Sequence, residues 1–211
     1  MSLDPLNMAG RSKVTNGGLL DRFKVSGVGT QPEEIQRWLK SDFAGYLLRH
    51  ERRLLRDKFP AFPGYRMLRL GLSEDIETLD CFDQIHRFSL HPAEIDGSHA
   101  ALANYADLPL GSETIDAMLL HHAIEFSVSP KAVLAEASRV IVPGGNILLC
   151  LFNPYGPMGL LKYPMQLFSQ RAQYKFHNLR LGRVSDWLSL LNFQVVQIEH
   201  GAYNLPLNSP E

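Results

Sequence analysis

The chain has 211 residues, 45% hydrophobic and 20% charged, with a formal net charge of -1 at pH 7. That length suits one domain with a substantial core, and the near-zero charge gives no global footprint for nucleic acid or an anionic membrane. The two cysteines, Cys81 and Cys150, have no metal-ligand spacing, which excludes a disulfide framework and a zinc cluster.

With no signal-peptide block and no apolar run of membrane-spanning length, the chain reads as cytoplasmic. Residues 1–30 are rich in Gly, Ser and Asn and lack periodicity. They read as a flexible leader in which Leu19, Leu20 and Phe23 are available to dock. Residues 31–211 form a single domain, opening near Thr30 as a cap and Pro32 in a first helical turn. A leading helix over 33–59 carries Ile35, Leu39, Phe43, Tyr46, Leu47 and Leu54 on one stripe. Arg49, Glu51, Arg52, Arg53, Arg56 and Lys58 form the wetter side of this sheet-covering helix. Pro60 and Pro63 end it.

Tyr65 to Leu70 is a short strand, with Gly71 opening the turn, and Ile76 to Leu79 is a weak helix or loop. Strands follow at Ile85 to Leu90, Ala100 to Tyr105 and Ile115 to Leu120, the last with no solvated face. Pro130 to Val140 is a helix with Ser129 as N-cap and Val133, Leu134, Ala137 and Val140 facing inwards. Val142-Pro143-Gly144-Gly145 turns the chain into a strand from Asn146 to Phe152. A helix over Arg183 to Leu191, ended by Asn192, precedes a strand from Phe193 to Glu199. This alternation predicts an α/β fold, doubly wound around a mostly parallel sheet.

In such a sheet ligands sit beyond the carboxyl ends of the strands. Gly71 lets a backbone approach a ligand closely, or simply shapes a tight turn. Glu74 and Asp75 beside it disfavour a phosphate loop. Asp107 offers an acceptor to an exocyclic amine between apolar Ala106 and Leu108, or caps its own turn. His121 and His122 close a buried strand with Glu125 following; one is a base or a positioning group, or both are structural. Neighbours on a strand point to opposite faces, so no shared metal is expected. Asn153, in Phe152-Asn153-Pro154-Tyr155, holds a polar substrate or shapes a rigid turn. Lys162, Arg171 and Lys175 either meet an acidic substrate or are solvated.

Asp107-Leu108-Pro109-Leu110 through Ile115-Asp116, His122, Glu136, Arg139-Val140 and Pro143-Gly144-Gly145 resemble the class I S-adenosylmethionine-dependent methyltransferases of the type 11 group. Leu48-Arg49-His50-Glu51, Phe152-Asn153-Pro154 and Asp186-Trp187-Leu188 resemble a small bacterial subgroup. The resemblance spans about Tyr65 to Glu199 and implies a Rossmann-like methyltransferase sheet. It implies S-adenosylmethionine contacts at Gly71, Ser73, Asp107 and Leu108, with His122 and Asn153 placing a small-molecule substrate at the methyl-transfer cleft. No nucleic-acid or membrane partner is implied. The family's turn after the first strand reads Asp-hydrophobic-Gly-x-Gly-x-Gly. Here Arg69 stands for the acid, Ser73 and Asp75 for the later glycines, and no acid ends the second strand. The family's final antiparallel strand is expected to be missing, because the tail after Glu199 is short. The exposed edge then invites a homodimer. The expected function is methyl transfer to an unidentified substrate; the alternative is a non-catalytic scaffold of the same fold.

Overall fold

A computed structural model describes residues 24–59, 61–73, 76–95, 100–169 and 171–201. Glu74, Asp75 and most of the predicted leader lie outside them. Within the span read as a leader, Val28–Thr30 forms a 3-10 turn with Val28 buried. The Thr30 hydroxyl donates to the Ser26 carbonyl, and Gln31 takes the cap position. The predicted leading helix is two helices, α1 (Pro32–Leu39) and α2 (Asp42–Lys58). Ser41 separates them in an extended conformation, its hydroxyl accepting from the Ala44 N–H at 3.4 Å. This is an N-cap signal inside the apolar periodicity.

The strands β1 (Arg66–Gly71), β2 (His86–His91), β3 (Ala101–Leu102), β4 (Ile115–His121) and β5 (Ile141–Cys150) form one parallel sheet ordered β3-β2-β1-β4-β5. Its two faces follow from strand alternation. Leu68, Leu70, Met118 and Leu120 pack with Val133, Leu134, Ala137 and Val140 of α3 (Pro130–Val140). Met67, Ala117 and Leu119 pack on the opposite side with Leu55 of α2 and Leu79 and Phe82 around the 3-10 turn Ile76–Cys81. The doubly wound expectation is therefore correct. α4 (Pro157–Phe168) and α5 (Leu181–Leu190) complete the chain's longer helices, the latter stopped by Asn192 at φ 63°.

The third strand is shorter than expected because Asn104 folds the chain back, its side chain accepting from the Ala106 N–H at 3.0 Å. α4 escapes sequence reading because Pro154, Gly156, Pro157, Gly159 and Pro164 all signal turns. Phe193 to Glu199 is not a strand, which corrects that expectation. A strand needs a neighbour to take its N–H and C=O groups. The outer edge of β5 instead faces a cleft of about 670 Å³ that separates it from residues 193–201.

The Pro-Gly-Gly segment belongs to β5, where the register with β4 jumps from Ile115↔Ile141 to Ala117↔Asn146. A side chain at Gly145 would put Cβ 2.7 Å from both the Asp116 carbonyl and Ile141, whereas Gly144 has open space and only its φ of 79° to protect. Gly145→Ala is therefore expected to lower stability by about 1–3 kcal/mol, and Gly144→Ala by about 1 kcal/mol. Urea denaturation checks the ranking, and the reverse order would contradict it.

Candidate functional site

The carboxyl ends of β1 and β4 meet α2 in a buried polar cluster. Arg69 lies on the α2 face of β1 and is 1% exposed. A guanidinium so placed needs acceptors all round. It donates to the Ser73 carbonyl, to the Ser73 hydroxyl at 2.8 Å, and from Nη2 to His121 Nδ1 at 3.2 Å. His121 Nε2 then donates to Glu51 Oε2 at 2.8 Å. His122 should alternate to the other face, but its φ of 56° breaks the strand and turns the ring back. The two imidazoles stack with centroids 5.2 Å apart. His122 Nε2 reaches Glu51 Oε1 at 2.9 Å, and Nδ1 reaches Glu125 Oε1 at 2.9 Å. Phe152 stacks on the same ring at 4.2 Å, and its N–H donates to Glu125 Oε1. A left-handed histidine held by two carboxylates is an outlier of the kind that clusters at functional sites.

Burial would lower the His122 pKa, but the charges and hydrogen bonds of Glu51 and Glu125 outweigh it and raise it to about 10. Burial likewise opposes charge on Glu51, yet charged His122 and the bonds from both histidines hold that carboxyl well below the usual range. His121 is pushed down by burial, with Arg69 and His122 adding to the effect and Glu51 opposing it. The cluster thus holds a neutral His121 and an imidazolium at His122.

The opposite-face argument against a shared metal fails here, because Glu51, His121 and His122 bring ligand atoms within 4.8 Å of one another. A different feature disfavours an ion. The guanidinium donating to Nδ1 leaves the His121 proton on Nε2, so that nitrogen presents a hydrogen rather than a lone pair to the cluster. Arg69 also adds a positive charge beside any cation.

The expected site residues do not form one pocket. His122 is central to the network, and Ser73 joins it through Arg69. Asn153 is exposed, accepts from the Tyr155 N–H at 3.0 Å, and lines the cleft beside β5. The Gly71 N–H donates to the Tyr105 hydroxyl at 3.1 Å; that hydroxyl lies 2.8 Å from the Gly71 carbonyl and 3.2 Å from that of Leu90. A side chain at Gly71 would crowd β4, with Cβ 3.0 Å from the His121 carbonyl. Asp107 is exposed, and Leu108 is buried with its N–H on Glu136 at 2.7 Å. Sequence reasoning missed Tyr105 and the roles of Glu51 and Arg69. The available signal was a lone arginine inside the apolar run Met67 to Leu70, which demands a buried acceptor set.

A five-stranded parallel sheet with helices on both faces and polar groups at its carboxyl end is the Rossmann-like methyltransferase architecture. Residues 75–149 match the family described as a methyltransferase domain. The chain is 30% identical over 148 residues to the uncharacterized protein YafS of Escherichia coli K12, covering 68% of this chain and 59% of that one. It therefore spans somewhat under two thirds of that relative's length. A Thermotoga maritima S-adenosylmethionine-dependent methyltransferase, described as a possible histamine N-methyltransferase, superposes with TM-score 0.62 at 17% identity over 77% of each chain. A chain from the complex of the Haloferax volcanii Trm112 methyltransferase activator with its methyltransferase gives TM-score 0.62 at 16% identity, over 85% of this chain and 84% of that one. The chain thus carries a match to a methyltransferase-domain model over residues 75–149 and shares the Rossmann-like methyltransferase fold with these structures.

S-adenosylmethionine is the cofactor that the methyltransferase fold implies, and the two ends of the site differ in fit. Asp107 presents an exposed carboxylate suited to an adenine amine. Leu108 is part of the core rather than an open platform. The methionine end does not fit as it stands, because Tyr105 takes the Gly71 amide and Arg69 takes the polar groups of Ser73.

The network makes stability depend on pH. His122 is raised above its unfolded value near 6.5, so its stabilisation is complete below that pH and is lost as pH climbs towards about 10. Glu51 works at the other end: its contribution is present above its ordinary 4.5 and is lost in acid. His121, held low, weakens the fold below about 6.5. Between pH 7 and 10 the chain should lose on the order of 3 kcal/mol, and Glu51→Gln should at least halve that slope. Denaturant unfolding at stepped pH checks this, and parallel slopes would contradict it.

Proposed function

We propose that the protein transfers a methyl group from S-adenosylmethionine to a small-molecule acceptor, with cofactor contacts at Asp107, Leu108, Gly71 and Ser73. The observation behind this reading is the exposed Asp107 carboxylate, two residues beyond a tyrosine that touches the ends of β1 and β2. His122 and Asn153 are the acceptor-side residues in this reading. His122, buried and fixed by Glu51, Glu125 and the Phe152 ring, acts in this reading by positioning its neighbours rather than as a base. Asn153 sits exposed where β5 opens into the cleft.

Binding would require Tyr105 and Arg69 to release Gly71 and Ser73, so affinity is reduced by the cost of that exchange. The same observation favours a second reading, in which the fold is a non-catalytic scaffold and the two side chains are a permanent filling. Calorimetry with S-adenosylhomocysteine separates the two. The enzyme reading expects micromolar-range binding, weakened roughly tenfold or more by Asp107→Ala, since a hydrogen bond to a charged group contributes about 1.5–3 kcal/mol. Tyr105→Phe, which frees the Gly71 amide, should tighten it several-fold. No heat at millimolar ligand in either protein would leave the scaffold.

A further inference from the structure

α4 is built inside out. Its buried positions are Met158, Gly159, Lys162 and Gln166. Lys162 donates to the Phe176 carbonyl with its ammonium 4.7 Å from that ring, and Gln166 donates to the Tyr174 carbonyl at 2.7 Å. The exposed side carries Leu160, Tyr163, Leu167 and Phe168, the last 87% exposed. These positions form one stripe on the helix surface. A helix facing water alone would be turned the other way. Rotation is blocked at its start, where a Cβ on Gly159 would come within 2.4 Å of the Pro154 carbonyl. Exposed Tyr155 extends the stripe, with the Arg180 guanidinium 5.9 Å from its ring.

The segment that carries the stripe has charge of one sign. Between Glu136 and Asp186 the sequence contains no acid, while Lys162, Arg171, Lys175, Arg180 and Arg183 follow β5. Arg171, Arg180 and Arg183 are exposed. Neighbouring α1 is balanced, Glu33 and Glu34 against Arg37 and Lys40. The whole-chain charge of -1 hides this local surplus.

From this placement we propose that α4 and its cationic border form a peripheral docking face for an anionic lipid surface. Outward aliphatic and aromatic side chains flanked by Lys and Arg are the composition that lies in a headgroup layer. A stripe of four residues with Tyr155 is far smaller than the roughly 20–30 residues a side of a stable protein interface. The mode is surface association: no helix among the described residues is long and apolar enough to cross a membrane. The inference is independent of the methyltransferase reading, although it places the lipid on the side where β5 opens.

Co-flotation of the full chain with vesicles of phosphatidylcholine and phosphatidylglycerol, against phosphatidylcholine alone, tests it. Binding is expected on the anionic vesicles only, roughly tenfold or more weaker in 0.5 M salt. Leu167→Ser/Phe168→Ser and, separately, Arg171→Glu/Arg180→Glu should each reduce it tenfold or more. These side chains are exposed, so circular dichroism should be unchanged. No binding by the unaltered chain, or binding indifferent to both variants, overturns the proposal. A dimer that Leu167→Ser/Phe168→Ser dissociates, without vesicle binding, would assign the stripe to a second copy and overturn it too.

Discussion

One carboxylate organises the functional end of this molecule. Glu51 reaches from α2 to the end of the sheet and takes the Nε2 protons of both His121 and His122. Because the carboxylate is largely withdrawn from water and both histidines are buried, breaking either contact leaves a charge without its partner, which is more costly than at a surface. The contact explains why His122 tolerates a left-handed backbone and why the two rings share one side of the sheet. It also ties α2 to the end of the central strand.

The same demand for satisfied polarity explains the turn after β1. A guanidinium in an apolar strand must be saturated, and the nearest acceptors are the carbonyl and hydroxyl of Ser73 and the free nitrogen of His121. The turn therefore closes on Arg69, while Tyr105 crosses from the loop after β3 to seal the Gly71 amide. What reads as an eroded glycine loop is a polar assembly closed on the protein's own side chains. The cofactor that the fold implies would have to displace it, whereas Asp107 stands outside it.

The sheet was legible because apolar runs and helix signals agreed: Ile115 to Leu120, Pro130 to Val140 and the turn at Gly71 are all found within a residue or two. Signals that depend on distant neighbours were not. Phe193 to Glu199 has the β-branched composition of a strand but no adjacent strand to bond, and α4 hides behind five turn-forming residues. Strand alternation sent His121 and His122 to opposite faces, a rule broken by a single backbone angle. The arginine in β1 was visible, but its partners come from β4 and the following turn, which only the fold brings together. Local charge was lost in the average, since the surplus after β5 is cancelled by acids elsewhere.

The most direct test of the account is nitrogen-15 NMR of the His122 ring across pH 6 to 11. Both ring nitrogens should remain protonated through neutral pH, with the transition near pH 10, and should lose that protection in Glu51→Gln. A His122 titrating near the ordinary histidine value of about 6.5, unaffected by Glu51, would mean the carboxylate does not hold the ring and would contradict the network at the centre of the site.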